Sequence, residues 1–156
     1  MIRVKPFHQT AGFCGPASLK MVMDYYGISV SEKAIAQAAG ASRKEGASKE
    51  GLIKAARHFR FKVFSQEKSD LGDLRRFIKR GMPVIVDWFF EDDGHYSVAV
   101  DIDQKEITLI DPSLGGARKM SLERFTRLWF DFPRKSIKEP KDLVLRLMIV
   151  VTPIEI

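Results

Sequence analysis

Between residues 17 and 26 the chain reads ASLKMVMDYY, and only Ser18, Lys20 and Asp24 in that stretch are polar. Lys20 and Asp24 are four apart, so on a helix they share one narrow stripe. A helix that is apolar on nearly every other side has to be covered by the rest of the chain. The stretch therefore predicts a central helix over 14–26, with Leu19, Met21, Val22 and Tyr25 out of solvent. Pro16 suits its first turn, where a missing N–H loses no hydrogen bond, and Gly27 supplies the stop.

The remainder divides in two. Ser29 and Glu32 have capping-box spacing for a second helix that stops at Gly40. Ser48 is placed to cap a third helix running to His58, and Asp70 a fourth ending at Gly81, with a short strand FKVFS (61–65) between them. Beyond residue 82 the pattern changes. PVIVDWFF (83–90), HYSVAVDI (95–102) and EITLID (106–111) read as strands with Gly and Asp between them. SLERFTRLWF (121–130) reads as a helix and LVLRLMIVV (143–151) as a buried closing strand. Helices first, then strands joined by short turns, predict an α+β fold with a C-terminal antiparallel sheet. The length fits one domain, 1–156.

Composition narrows the function classes. The net charge is +6, much of it in ASRKEG (41–46), RRFIKR (75–80) and PRKSIKEPK (133–141). These runs have no interleaved aromatic residues and no nucleic-acid motif, so they read as solvated faces, with no nucleic acid as partner. No apolar run reaches the roughly 20 residues that cross a bilayer, so no membrane segment is expected. The first thirteen residues have no apolar core of a signal peptide. A single cysteine excludes an internal disulfide and a cysteine-based zinc cage. Three scattered histidines make a poor metal site, so no metal and no cofactor are expected. A free thiol suits a reducing, cytoplasmic compartment.

That cysteine, Cys14, lies at the start of the central helix. Unpaired N–H groups and the helix dipole favour an anion there, which is what a thiol nucleophile needs. A lone cysteine beside an apolar helix is equally a small core residue. A base is available in His95, which opens a strand after the turn EDDG. Alternation puts His95, Ser97, Ala99 and Asp101 on one face of that strand. Across the turn DIDQKE, hairpin arithmetic sets Asp111 directly or diagonally opposite His95, within reach of its ring. Asp111 alternatively begins the turn DPSLGG. Gln9, five residues before Cys14, could donate a carboxamide N–H to an oxyanion beside the Cys14 backbone N–H. His58 ends a basic helix, and His8 has no local carboxylate to orient it.

Three segments together resemble a papain-like cysteine peptidase: QTAGFCGPASLKMV from Gln9, GHYSVAV from Gly94 and IDPSLGG from Ile110. More closely, they resemble the bacteriocin-processing, leader-cleaving cysteine peptidases and their stand-alone bacterial and archaeal relatives. The resemblance implies a papain-like fold, with the helical N-terminal half packing its central helix on the sheet. It implies a thiol hydrolase acting on a peptide or other amide bond through a thioester. Cys14 would be the nucleophile, His95 the general base and acid, Asp111 the orienter and Gln9 the oxyanion donor. In that family the glutamine usually stands six residues before the cysteine; here it stands five before. Acyl transfer on the same triad, and a non-catalytic peptide-binding module of the same fold, are the alternative readings.

Overall fold

The structure, a computed structural model, describes residues 1–132 and 137–154. Helix α1 spans Cys14–Tyr25, and its Ala17, Leu19, Met21, Val22 and Met23 are at most 1% exposed. Burying each of the larger side chains stabilises the fold by about 1.5–3 kcal/mol. Tyr25 is only half-buried, because its hydroxyl reaches outward to donate to the Gly81 carbonyl at 2.7 Å.

Helix α2 (Glu32–Ala39) ends at Gly40, whose φ of 65° is the left-handed conformation that glycine adopts without strain. Its N-cap is Ser31, which accepts from the Ala34 N–H at 3.1 Å, and not Ser29. Glu32 makes no capping box either; its carboxylate is taken by Thr10, as described below. Ser48 and Asp70 do cap helices α3 (Lys49–His58) and α4 (Leu71–Lys79), the latter through a reciprocal box with Asp73.

Strands β1 (Phe61–Gln66), β2 (Val84–Phe90), β3 (Asp93–Ile102), β4 (Glu106–Asp111), β5 (Gly116–Ser121) and β8 (Met148–Pro153) form one antiparallel sheet in the order β1-β8-β2-β3-β4-β5. Helix α5 (Leu122–Leu128) follows β5 and is capped by Ser121. It is shorter than the pattern suggests, because Trp129 drops into the core and Phe130 enters a strand. That strand, β6 (Phe130–Asp131), pairs with β7 (Val144–Leu145). The expected single strand at 143–151 is thus two, broken at Arg146, whose φ is 47°. Residues 133–136 of the last basic run lie outside the described residues.

Strands β2 and β3 turn on Glu91 and Asp92, both at positive φ, as a tight two-residue hairpin requires. The β3–β4 ladder has a bulge between Ala99 and Asp101. The extra residue ends the alternation predicted for that strand: Ala99 pairs with Leu109, whereas Asp101 pairs with Thr108, which faces the other way. Helix α1 packs on β3 and against α2 and α3. Its N-terminus is thereby held at the start of β3.

Candidate active site

A cleft of about 620 Å³ opens where the N-terminus of α1 meets the β2–β3 hairpin and β6. Gln9, Cys14, Asp87, His95, Tyr96 and Asp131 all contribute to its lining. Cys14 is the first residue of α1 and is half-buried. No side chain caps this helix end, so its first N–H groups remain available to an anion in the cleft.

His95 is 8% exposed and is the third residue of β3, the hairpin's outgoing strand. Its Nε2 lies 2.6 Å from Asp111 Oδ1, and its ring also hydrogen-bonds the Cys14 side chain. With Nε2 engaged by the carboxylate, Nδ1 is left for the thiol. The edge of the imidazole packs on Trp88 at 5.7 Å, and Phe90 lies at 5.6 Å. Trp88 is itself fixed by an Nε1–H donated to Ser97 Oγ at 3.0 Å. Burial disfavours the imidazolium, but the hydrogen bonds to Asp111 and Cys14 outweigh it and push His95 up to about 9.

Asp111 is completely buried. The bulge shifts the hairpin register so that Val98 faces Ile110, and Asp111 comes just beyond, diagonal to His95. Its Oδ1 accepts from the Ser113 N–H at 2.9 Å and the Ser113 hydroxyl at 2.8 Å, and its Oδ2 from Arg118 Nε at 2.8 Å. Burial raises this carboxyl; the bonds from His95, Arg118 and Ser113 overcome that and hold it well below the usual carboxylate range. Asp111 therefore both begins the DPS turn and serves His95. The Arg118 guanidinium lies over the Phe90 ring at 4.7 Å, so it too is held in place. Sequence reasoning missed Ser113 and Arg118. The Asp-x-Ser spacing is a legible turn signal, whereas Arg118 sits on β5, which was not anticipated.

Gln9 reaches the same cleft. Its N–H donates to the Pro112 carbonyl at 2.9 Å, which ties the loop before α1 to the turn after Asp111. Thr10 anchors the next residue: its N–H and hydroxyl donate to the two oxygens of Glu32 at 2.8 and 2.6 Å. One Nε2 hydrogen of Gln9 is used by the Thr10 carbonyl at 3.3 Å, and no described residue accepts the second. His8 and His58 are exposed and belong to no such arrangement. Among the described residues, no group of three or more His, Cys, Asp or Glu could hold a metal ion, and no helix is long and apolar enough to cross a membrane.

A thiol, an imidazole and a buried carboxylate in series, with free N–H donors beside the thiol, have the parts for attack on a carbonyl carbon. The chain is 34% identical over 117 residues to an uncharacterised protein of Methanothermobacter marburgensis, covering 70% of this chain and 72% of that one. Another, from Methanothermobacter thermautotrophicus, is 34% identical over 106 residues, covering 65% and 66%. In fold it matches the peptidase domain of Streptococcus ComA, a bifunctional ABC transporter of quorum sensing, with TM-score 0.75, 22% identity and coverage of 97% and 99%. It also matches a double-glycine-motif protease of an AMS/PCAT transporter in complex with its leader peptide, with TM-score 0.71, 22% identity and coverage of 98% and 94%. Residues 7–132 match the model of the peptidase C39 family, and the chain belongs to that family.

Proposed function

We propose that the cleft is the active site of a cysteine peptidase in which Cys14 is the nucleophile and His95 its base and acid. Asp111 orients the imidazole, and Gln9 joins the Cys14 backbone N–H in receiving the oxyanion. The observation that carries this reading is the series Cys14–His95–Asp111, with Nε2 of His95 held 2.6 Å from a buried carboxylate. The leader peptide bound to the AMS/PCAT protease supports a polypeptide as the substrate class.

The Cys14 thiolate attacks the scissile carbonyl carbon, and the new C–S bond moves charge onto the carbonyl oxygen. That oxygen is met by the second Nε2–H of Gln9 and the N–H at the head of α1. As the C–N bond breaks, the His95 imidazolium passes its proton to the departing amine. Water, deprotonated by His95, then attacks the thioester; the C–S bond breaks, a carboxylate product leaves and the thiolate returns. Asp111 keeps its charge throughout and holds Nε2–H toward itself, so that Nδ1 faces the sulfur.

The test is alkylation of the native protein by iodoacetamide across pH, read by mass spectrometry, together with hydrolysis of a peptide library. Rapid modification confined to Cys14, loss of hydrolysis in Cys14→Ala, and slow alkylation in His95→Ala are the expected results. Alkylation that occurs only on unfolding would reduce Cys14 to a core residue and overturn the reading.

A further inference from the structure

The run PVIVDWFF places one acid, Asp87, in the middle of a strand otherwise apolar. It is 3% exposed, and its neighbour Asp131 is 8% exposed, yet both line the cleft that holds Cys14. The two carboxyls lie against one another, and burial followed by the Asp131 charge pushes Asp87 well up. No N–H or O–H of the described residues reaches the buried Oδ1 of either. The arrangement is built rather than incidental. The Asp131 carboxylate is seated against Gly94, where the β-carbon of any other residue would collide with it. Asp87 is anchored by its N–H, directed at the Leu147 carbonyl, and Asp131 by pairing with Val144. Of the basic residues that line the cleft, Lys49 is turned to Glu50 and Glu67 and Lys141 to Glu139, while Arg43 and Lys44 line it on the side of Gly12 and Gly46.

We infer that Asp87 and Asp131 form a subsite for an organic cation of the substrate, an ammonium or guanidinium held close to the bond that Cys14 attacks. The inference rests on the peptidase reading of Cys14. A buried acid pair without a cation is costly, and a cation entering from the cleft would satisfy the unpartnered Oδ1 of both. Tyr96 faces Asp87 across the β2–β3 ladder, and Val144 and Leu147 flank the pair, giving walls that suit the methylene stem of a lysine or arginine. Two carboxylates are too few to replace the hydration of a calcium ion, which takes 6–8 oxygen ligands, whereas one ammonium needs no more.

Two measurements test this. In matched peptides that differ at one residue near the scissile bond, lysine should be cleaved roughly ten- to hundredfold faster than norleucine, the worth of a hydrogen bond to a charged group. Asp87→Asn should collapse that ratio toward one. Peptides with and without an acetylated α-amino group distinguish a side-chain cation from a chain terminus. Norleucine cleaved as fast as lysine by the wild type, with either terminus, would overturn the inference.

The second measurement needs no peptidase activity: the rates at which an ammonium-bearing and a sulfonate-bearing methanethiosulfonate modify Cys14. The ammonium-to-sulfonate ratio should fall at least about tenfold in Asp87→Asn, and likewise in Asp131→Asn, each checked for folding by circular dichroism. An unchanged ratio in two folded variants would refute the cation subsite. A changed ratio in a protein that cleaves no peptide would instead refute the peptidase reading alone.

Discussion

The β2–β3 hairpin brings two sets of buried carboxylates near the cleft, and they differ in their partners. On one side Asp111, fully buried, meets an imidazole, a guanidinium and two donors of Ser113, and is held ionised. On the other, Asp87, at 3% exposure, has no basic partner among the described residues, and burial followed by the Asp131 charge pushes it well up. Burial is the same; partners decide which acid carries charge. The sheet uses one acid to fix a base and leaves the other open to the cleft.

Deleting each acid should expose the contrast most strongly. Asp111→Ala leaves Arg118 and His95 without their counter-charge and should cost about 3–5 kcal/mol in urea unfolding, the penalty for breaking a buried pair. Asp87→Asn removes an acid that has no counter-charge among the described residues and whose burial opposes folding as pH rises, so it should leave stability unchanged or raise it. Equal losses in the two variants would mean that Asp87 also has a structural partner.

The pH dependence sharpens it next. His95 is raised from its ordinary value to about 9, so the stability from its charge is complete below the unfolded value and lost as pH climbs through 9. Unfolding free energy should fall by about 3 kcal/mol over that window, and His95→Gln should flatten the profile. Asp111, being lowered, acts oppositely: its contribution is present above the ordinary carboxylate range and lost on acidification below it. The Asp87–Asp131 pair, being raised, favours the fold in acid and opposes it as pH rises.

Smaller effects follow at the edges of the two sites. Gly94→Ala drives a methyl group into Asp131 and should cost about 1–3 kcal/mol, with Asp131→Ala in the same chain recovering most of it. Thr10→Val breaks the clamp on Glu32 and should cost about 1 kcal/mol, while slowing turnover through the displaced Gln9 loop.

The ionised side of this comparison was far more legible in sequence than the other. Central burial of α1 follows from its near-continuous apolar surface, and the caps Ser48 and Asp70 precede helical patterns. The approach of Asp111 to His95 needs only a short hairpin, so counting residues finds it even though the bulge shifts the register. Asp87 was visible as an acid in an apolar strand, but nothing local connects it to Asp131. Their meeting depends on β6, two residues long, folding back beside the β2–β3 hairpin. Strand β5 escaped notice because GARKMS carries its polar residues on a half-exposed edge. Ser31 caps α2 in place of Ser29, and Glu32 is instead held by Thr10, a contact spanning 22 residues that no local pattern announces.

The hairpin also bears on when the site comes into being. His95 and Asp111 are 16 residues apart in the chain, a short loop to close, whereas Cys14 lies in a different half of the sequence. Local contacts form ahead of distant ones because less chain entropy is lost in making them. A partly folded molecule can thus hold its base and orienter while its thiol still lacks them. Only the docking of α1 on β3 completes the assembly, so a nascent chain carries an unarmed cysteine until its fold is nearly finished.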